Sequence, residues 1–196
     1  MNADSSKIRD QSRQLRMTVY VALFAALIAA GAYIAIPIGP VPVVLQNFFI
    51  MLAALLLGRR WGAACVGIYL LAGAIGLPVF ASGTGGIGRI MGPTGGYLLS
   101  YLPAAWIIGL LSERGGGRML PDLLALLCGA LVVYAGGTAW LKMLSGLSWP
   151  KAISAGMFVF LPGDAVKIAA ALPVARTLRP VIAGTLLDTV DTREHH

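Results

Sequence analysis

The feature that most constrains this chain is a stretch of 42 consecutive residues, Met17 to Gly58, without one charged side chain. Two further uncharged stretches follow, Trp61 to Gly88 and Ile90 to Ser112. A bilayer core about 30 Å thick is crossed by roughly 20 helical residues, so the first stretch can hold two spans and the others one each. Only 12% of the residues are charged, against about 25% in soluble domains, so a soluble fold is excluded.

Proline and glycine divide the apolar chain into six predicted helices. The cluster Pro37, Pro40 and Pro42 separates the first two spans, because proline lacks the N–H that a helix interior needs. We predict an all-α integral membrane protein with six transmembrane helices at about 17–36, 43–57, 61–76, 94–111, 123–144 and 163–187. Residues 1–16 form a polar tail, 17–188 the membrane domain and 189–196 a polar C-terminal tail that ends in part of a tag.

The basic residues assign an orientation to this arrangement. Lys and Arg concentrate in cytoplasmic loops, and 11 of the 15 fall on one side if the N- and C-termini are cytoplasmic. Arg89, Lys142, Lys151 and Lys167 are the four that fall on or near the outer side. The net charge of +7 is therefore explained by topology, and no nucleic-acid partner is expected. The predicted location is a bacterial plasma membrane, which the chain crosses several times.

Asp164 and Lys167 are the clearest candidates for a functional site. An ionisable residue within a membrane span costs about 2.5–3.5 kcal/mol on insertion scales, so such residues are functional candidates. The i, i+3 spacing places both on one face at the start of the last helix, where they can pair. The alternatives are a structural ion pair, or a Lys167 that only extends to the membrane interface.

Three other polar or glycine-rich features fall on the same outer side. The first is the proline turn that leads to Gln46, and the second is the glycine-rich loop 77–93 with Phe80 and Arg89. The third is the segment 92–97, which ends in Tyr97 at the entry to the fourth span. Arg89 could bind a ligand carboxylate or a lipid headgroup, and the two aromatic residues could form an apolar wall or belong to the interfacial belt.

Small residues recur at helical spacing in the first span. Ala22 and Ala26 lie on one stripe, which would let another helix approach closely. The pattern fits packing inside the bundle or contact with another subunit. The sequence contains no catalytic motif, no metal-ligand cluster and no phosphate-binding loop, so the chain is expected to be neither an enzyme nor an ATPase, with no cofactor.

Taken in order, these motifs resemble the BioY family, the biotin-specific substrate-binding (S) subunits of energy-coupling factor transporters. The matching segments are ALFAA at 22–26, IPIGPVP at 36–42 with Gln46, GLPVF at 76–80, GPTGGY at 92–97 and PGDAVK at 162–167. Val44 is a departure, since we expect threonine there in the family.

The resemblance implies an S-component fold of six helices and high-affinity capture of biotin from outside. With biotin as the implied ligand, the expected site is Gln46, Phe80, Arg89, Tyr97, Asp164 and Lys167, with Asp164, Lys167 and Gln46 at the ureido group and Arg89 at the carboxylate. Lys167 could instead bind the carboxylate if biotin lies the other way round. The resemblance also implies that the Ala22 and Ala26 stripe contacts a transmembrane coupling (T) subunit, which works with two ATPase subunits.

Several alternatives remain open from the sequence. A solitary transporter acting as a homo-oligomer and an S component for a different vitamin share the predicted fold. A channel would need a polar stripe through several spans, and the inner halves of these spans offer almost none. An intramembrane enzyme would need a nucleophile with a base, which the chain lacks.

Overall fold

The computed structural model describes residues 2–36 and 41–187, and it is almost entirely helical. Pro37 and Pro40 of the predicted turn lie outside the described residues, as do residues 188–196. The long helices are α1 (Asn2–Tyr33), α2 (Gln46–Ala74), α4 (Gly95–Arg114), α5 (Met119–Ser145) and α7 (Leu161–Leu187). Short helices α3 (Ile87–Met91) and α6 (Trp149–Ile153) lie in the connections, with a 3₁₀ turn at Ala81–Gly83 and a π-helical turn at Ser154–Phe158.

A sharp reversal at Gly58 divides α2 into two membrane helices. Gly58 has φ 77° and ψ −177°, a conformation that favours glycine. A methyl group placed on Gly62 would lie 2.8 Å from Ala54 Cα. Eight residues of straight helix would separate these positions by about 12 Å, so the segments 46–57 and 59–74 must run back along each other. The fold therefore has six membrane helices, as the sequence predicted.

The six helices alternate in direction between two ends of the molecule. One end holds a short β-hairpin, in which β1 (Ala35–Ile36) pairs antiparallel with β2 (Val43–Val44); we call it the hairpin end. The other holds the Gly58 reversal and is called the Gly58 end. Within residues 2–36 and 41–187, five continuous helical segments are long and apolar enough to cross a membrane, and the Gly58 reversal divides one of them, α2, into two helices.

Small residues allow the helices to pack closely. A methyl group on Gly96 would lie 2.1 Å from Trp140 Cβ, and one on Gly109 would lie 2.3 Å from the Arg59 backbone nitrogen. The backbones of α4, α5 and α2 approach at these glycines, as is common in membrane bundles that gain little from hydrophobic exclusion of water.

A buried polar network ties four helices together at the Gly58 end. The Arg179 guanidinium of α7 donates to Asp122 Oδ2 at 3.0 Å and to the Gly117 carbonyl at 2.7 Å. It also donates to the Leu55 carbonyl of α2 and to Ser112 Oγ of α4, both at 3.1 Å. Arg179 is one of the basic residues predicted to lie on the cytoplasmic side, and the structure gives it a structural role in this network as well.

The predicted span boundaries differ from the structure mainly near the hairpin. The first helix ends at Tyr33 and the second begins at Gln46, because residues 35–36 and 43–44 pair as strands. Residues 2–16, predicted to be a separate polar tail, continue α1 in the same helix. The last helix begins at Leu161, with Pro162 in its first turn, where a missing N–H costs nothing.

Candidate functional site

The paired charges of α7 lie in a buried polar cluster at the hairpin end. Lys167 Nζ is 3.0 Å from Asp164 Oδ1, and both side chains are 10% exposed. Lys167 also donates to Asn47 Oδ1 at 2.8 Å and to the Val44 carbonyl at 2.7 Å. Asp164 accepts from Asn47 Nδ2 at 2.7 Å and from the Tyr134 hydroxyl at 2.6 Å. Buried charges persist only when they are paired and hydrogen-bonded, and both conditions hold here.

The cluster is built from three helices and strand β2, which meet at the hairpin end. Asp164 lies in the first turn of α7, where the helix dipole favours a carboxylate, and Lys167 follows one turn later. Asn47 lies at the start of α2, and Tyr134 projects from α5. Val44 contributes its backbone carbonyl, an atom that every residue type provides. The departure from threonine therefore leaves this contact unchanged.

Two residues of the cluster, Asn47 and Tyr134, are not among the six site residues predicted from the sequence. Asn47 is a second amide beside Gln46 in an uncharged stretch, and a polar side chain in such a stretch is itself a signal of a functional position. Tyr134 carries no such signal, because single tyrosines in spans are usually belt or packing residues. Only the fold brings it to Asp164.

The cluster borders a small internal cavity that the predicted Tyr97 also lines. Its volume is about 30 Å³, room for one or two waters. Its walls include the side chains of Val41, Pro42, Tyr97, Tyr101, Val133, Tyr134, Phe160, Asp164 and Lys167. Three of the six predicted binding residues therefore meet here.

A second cavity of about 30 Å³ lies beside the first. It is lined by the other three predicted residues, Gln46, Phe80 and Arg89, and again by Tyr97. Tyr101 lines both cavities and a third one below Asp164, so the three spaces share one wall. The structure thus places all six predicted residues around two neighbouring cavities that share a wall, but it separates Gln46 and Arg89 from the Asp164–Lys167 pair.

Tyr97 and Tyr101 stand between the two cavities, one helical turn apart on α4. The Tyr97 hydroxyl donates to the Gly156 carbonyl at 2.7 Å, and its ring packs on Gly137. Among the described residues the Tyr101 hydroxyl has no hydrogen-bond partner. Tyr101 was not predicted as a site residue, although its i, i+4 spacing from Tyr97 places both side chains on the same face of the helix.

The glycine-rich loop closes over the second cavity. Phe80 is fully buried and packs edge-to-face on Tyr69 with ring centroids 5.5 Å apart. Its ring occupies a notch at Gly73, where a methyl group would lie 2.1 Å from Phe80 Cζ. The Tyr33 hydroxyl holds the loop to α1 by donating to the Pro78 carbonyl at 2.5 Å. Phe80 is therefore both part of the cavity wall and the anchor of the loop.

Two polar groups of the second cavity are left without partners within the described part of the chain. Gln46 is 2% exposed and its Nε2 makes no hydrogen bond. The half-buried Arg89 guanidinium on α3 makes no ion pair or hydrogen bond. An unpaired buried donor costs roughly 1–3 kcal/mol, so these groups are suited to a polar ligand.

The predicted interface residues lie on the outside of the bundle. Ala22 and Ala26 are exposed, whereas Phe24 and Ile28 of the same helix face the core. Packing inside this bundle is thereby excluded as the explanation of the stripe. In residues 2–36 and 41–187 no group of three or more metal-ligating side chains is present.

Known proteins similar to this chain share one description. The model of the family described as BioY matches residues 3–184. The "Probable biotin transporter BioY" of Pyrococcus horikoshii is 45% identical over 159 residues, which cover 81% of this chain and 93% of that protein. The "Biotin transporter BioY" of Thermotoga maritima is 40% identical over 165 residues, 84% of this chain and 96% of that protein.

A solved structure matches the fold as well as the sequence. It is described as the crystal structure at 2.1 Å of the S-component for biotin from an ECF-type ABC transporter. The match has a TM-score of 0.81 and 33% sequence identity, and it covers 86% of this chain and 93% of that one. The six-helix prediction is thus confirmed by an experimental fold.

Proposed function

The chain belongs to the BioY family, and from that premise we propose that it captures biotin and carries out its uptake across the membrane. The observation that carries the proposal is the pair of polar sites on either side of Tyr97 and Tyr101. Biotin has a ureido group at one end, a carboxylate at the other and an apolar ring and chain between them. The polar cluster around Asp164 matches the ureido group, the aromatic rings of Tyr97 and Tyr101 match the apolar middle, and the unpaired Arg89 guanidinium matches the carboxylate.

The ureido group fits the Asp164 end. A carboxylate has about four lone-pair sites, and Asp164 accepts three hydrogen bonds from protein groups, which leaves one on Oδ2. A ureido N–H can donate there. Asn47 uses one of its two amide protons on Asp164, so the other is available to the ureido carbonyl.

The carboxylate of biotin fits Arg89 better than Lys167. An ammonium group has three donors, and all three of Lys167 are engaged by Val44, Asn47 and Asp164. Arg89 offers an unengaged planar fork, which binds carboxylates bidentately. In this proposal Lys167 orients the Asp164 carboxylate, and Gln46 donates a hydrogen bond at the carboxylate end of biotin.

Biotin entry requires the loop 77–93 to move. Cavities of about 30 Å³ are far below the roughly 300 Å³ that small-molecule sites occupy. The loop is held by the Phe80 notch and the Tyr33 contact, and also by hydrogen bonds from the Gly86 N–H to the Gly73 carbonyl at 2.7 Å and from the Trp140 indole to the Gly92 carbonyl at 3.0 Å. We infer that this loop is the lid, and that its opening joins the two cavities.

The distribution of basic residues supports an outward-facing pocket. Arg59, Arg114 and Arg179 lie at the Gly58 end, whereas Lys142, Lys151 and Lys167 lie toward the hairpin end. With the Gly58 end and both termini in the cytoplasm, the arginine-rich end obeys the positive-inside rule. The hairpin end then faces outward.

We further propose that the exposed stripe of Ala22 and Ala26 contacts a transmembrane coupling subunit, which acts with two ATPase subunits. The solved relative is an S-component of an ECF-type ABC transporter, and this chain has no ATP-binding motif of its own. Small exposed residues on a lipid-facing helix allow such close approach. A solitary homo-oligomer is the alternative that the test below separates.

The test is uptake of labelled biotin by cells that lack their own transporter. Cells expressing this chain should accumulate biotin, and Asp164→Asn/Lys167→Met, which removes both charges of the buried pair, should strongly reduce accumulation at unchanged protein level. Co-expression of the coupling and ATPase subunits should raise uptake, and Ala22→Trp should remove that gain alone. The proposal would be overturned if cells expressing the wild-type chain, with or without the coupling and ATPase subunits, accumulated no more biotin than cells that lack the chain.

A further inference from the structure

A sizeable groove lies far from the proposed biotin site. It is a groove of about 600 Å³ at the Gly58 end, between α1, the reversal of α2 and the end of α4. Its walls are Arg13, Gln14, Met17, Leu56, Leu57, Arg59, Arg60, Trp61 and Glu113. We call it the arginine groove.

The arginine groove lies at a membrane boundary. Gly31 of α1 packs against Phe49 near the hairpin end, and Arg13 lies eighteen residues earlier on the same helix. At 1.5 Å per residue the two positions are about 27 Å apart, close to the thickness of the hydrocarbon core. A groove at that depth opens to lipid headgroups. Trp61 lies in its wall, and tryptophan is enriched at the membrane–water interface.

The groove carries a net positive charge. Glu113 is the one acidic group in its wall, and it is engaged by the Arg59 backbone N–H at 2.8 Å and the Arg59 guanidinium at 3.4 Å. Arg13 and Arg60 are exposed and have no ion pair or hydrogen bond among the described residues. Within the described side chains, the Arg13 and Arg60 guanidinium groups at the groove have no acidic partner, and guanidinium groups bind phosphate bidentately.

The wall is also apolar on its inner side. Met17 is buried, Leu57 is buried and Leu56 is half-buried beneath the arginines. Next to the groove, Leu15 and Val19 of α1 are exposed toward the lipid, at 69% and 66%. A ligand with an anionic head and hydrocarbon chains would satisfy both surfaces at once. A soluble anion would leave the apolar surface uncovered.

We propose that the arginine groove binds the headgroup phosphate of an anionic phospholipid, with Arg13 and Arg60 as the phosphate ligands. Basic pockets between membrane helices are suited to anionic headgroups, because the charge and the acyl chains are both accommodated. Arg59, which Glu113 orients, supplies the edge of the site. The lipid would hold the start of α1 against the Gly58 reversal.

The test is native mass spectrometry of the purified full chain with dioleoyl-phosphatidylglycerol or dioleoyl-phosphatidylcholine. Wild type should bind the anionic lipid more tightly, and Arg13→Gln/Arg60→Gln should lose that preference. Each basic residue near the surface contributes about fivefold to anionic-lipid affinity, so the pair should cost about 25-fold. Both positions are exposed, so the unfolding temperature should not change.

The matched control is Arg114→Gln/Arg118→Gln. It removes the same charge from exposed residues at the same end, outside the groove, and should keep the preference. Retained preference in the groove variant, or equal loss in the control, would overturn the proposal. So would equal competition by soluble glycerol phosphate, which would make the site one for free phosphate. A groove variant that still prefers the anionic lipid but fails to bind the coupling subunit would assign the groove to a protein instead.

Discussion

Removal of both charges of the buried pair is the most informative perturbation of the proposed biotin site. Lys167→Met alone deletes three hydrogen bonds and leaves the Asp164 carboxylate buried without a counter-charge. Such one-sided removal typically destabilises by about 3–5 kcal/mol. Asp164→Asn/Lys167→Met removes both charges, and replacement of a whole buried pair by neutral groups is often neutral in stability. The double variant should therefore fold, and the single variant should unfold at lower temperature.

For biotin binding the order of the two variants should be reversed. The double variant should bind biotin more weakly than Lys167→Met, because it lacks the carboxylate that accepts the ureido N–H. Loss of a hydrogen bond to a charged group costs roughly 1.5–3 kcal/mol, or about 10- to 150-fold in Kd. Labelled biotin binding and thermal unfolding would be measured on the same detergent-solubilised samples. A double variant that is stable and binds biotin like wild type would refute the assignment, since the pair would then be purely structural.

Three further predictions test other parts of the account. Arg89→Gln should weaken biotin binding about tenfold and leave binding of biotin methyl ester unchanged, because only the free acid carries the charge that the guanidinium engages; equal weakening of both ligands would count against it. Gly73→Ala should place a methyl group 2.1 Å from the Phe80 ring and cost about 1–3 kcal/mol in unfolding free energy with weaker biotin binding. In the control Gly67→Ala the nearest atom to the new methyl group is 3.9 Å away, so neither stability nor biotin binding should change. Equal stability and biotin binding of the two variants would contradict the close packing of Phe80 on Gly73. Arg179→Met should lower stability by about 3–5 kcal/mol, because Asp122 is left buried and unpaired, while the folded fraction binds biotin normally; an unchanged unfolding temperature would show that this network is not structural.

Most of the fold could be predicted from the sequence, since length, uncharged stretches and helix breakers are local signals. The Gly58 reversal was predicted as a break between spans at Gly58–Arg60, although the whole segment 46–74 is helical apart from that one glycine. The hairpin pairing at 35–36 and 43–44 was not predicted, because two-residue strands depend on a turn closed by tertiary contacts.

The site could be predicted only in part. The six candidate residues all line one or both of the two neighbouring cavities, and each was recognisable as a polar or aromatic residue at a turn, loop or helix start in an apolar chain. Their grouping could not be predicted, and the structure places Gln46 with Arg89 instead of with Asp164. Tyr134 was missed because its partner lies 30 residues away on another helix. Pairings of that kind come from the packing of α5 against α7 and leave no local trace.

The central claim is that the two polar cavities together form a site for biotin. Equilibrium titration of the purified chain with biotin, thiamine and riboflavin tests it most directly. We predict saturable binding of biotin at one site per chain, and at least a hundredfold weaker binding of the other two vitamins, which lack biotin's compact cyclic urea with two N–H donors to face Asp164. Equal or tighter binding of thiamine or riboflavin, or no saturable binding of biotin, would contradict the account.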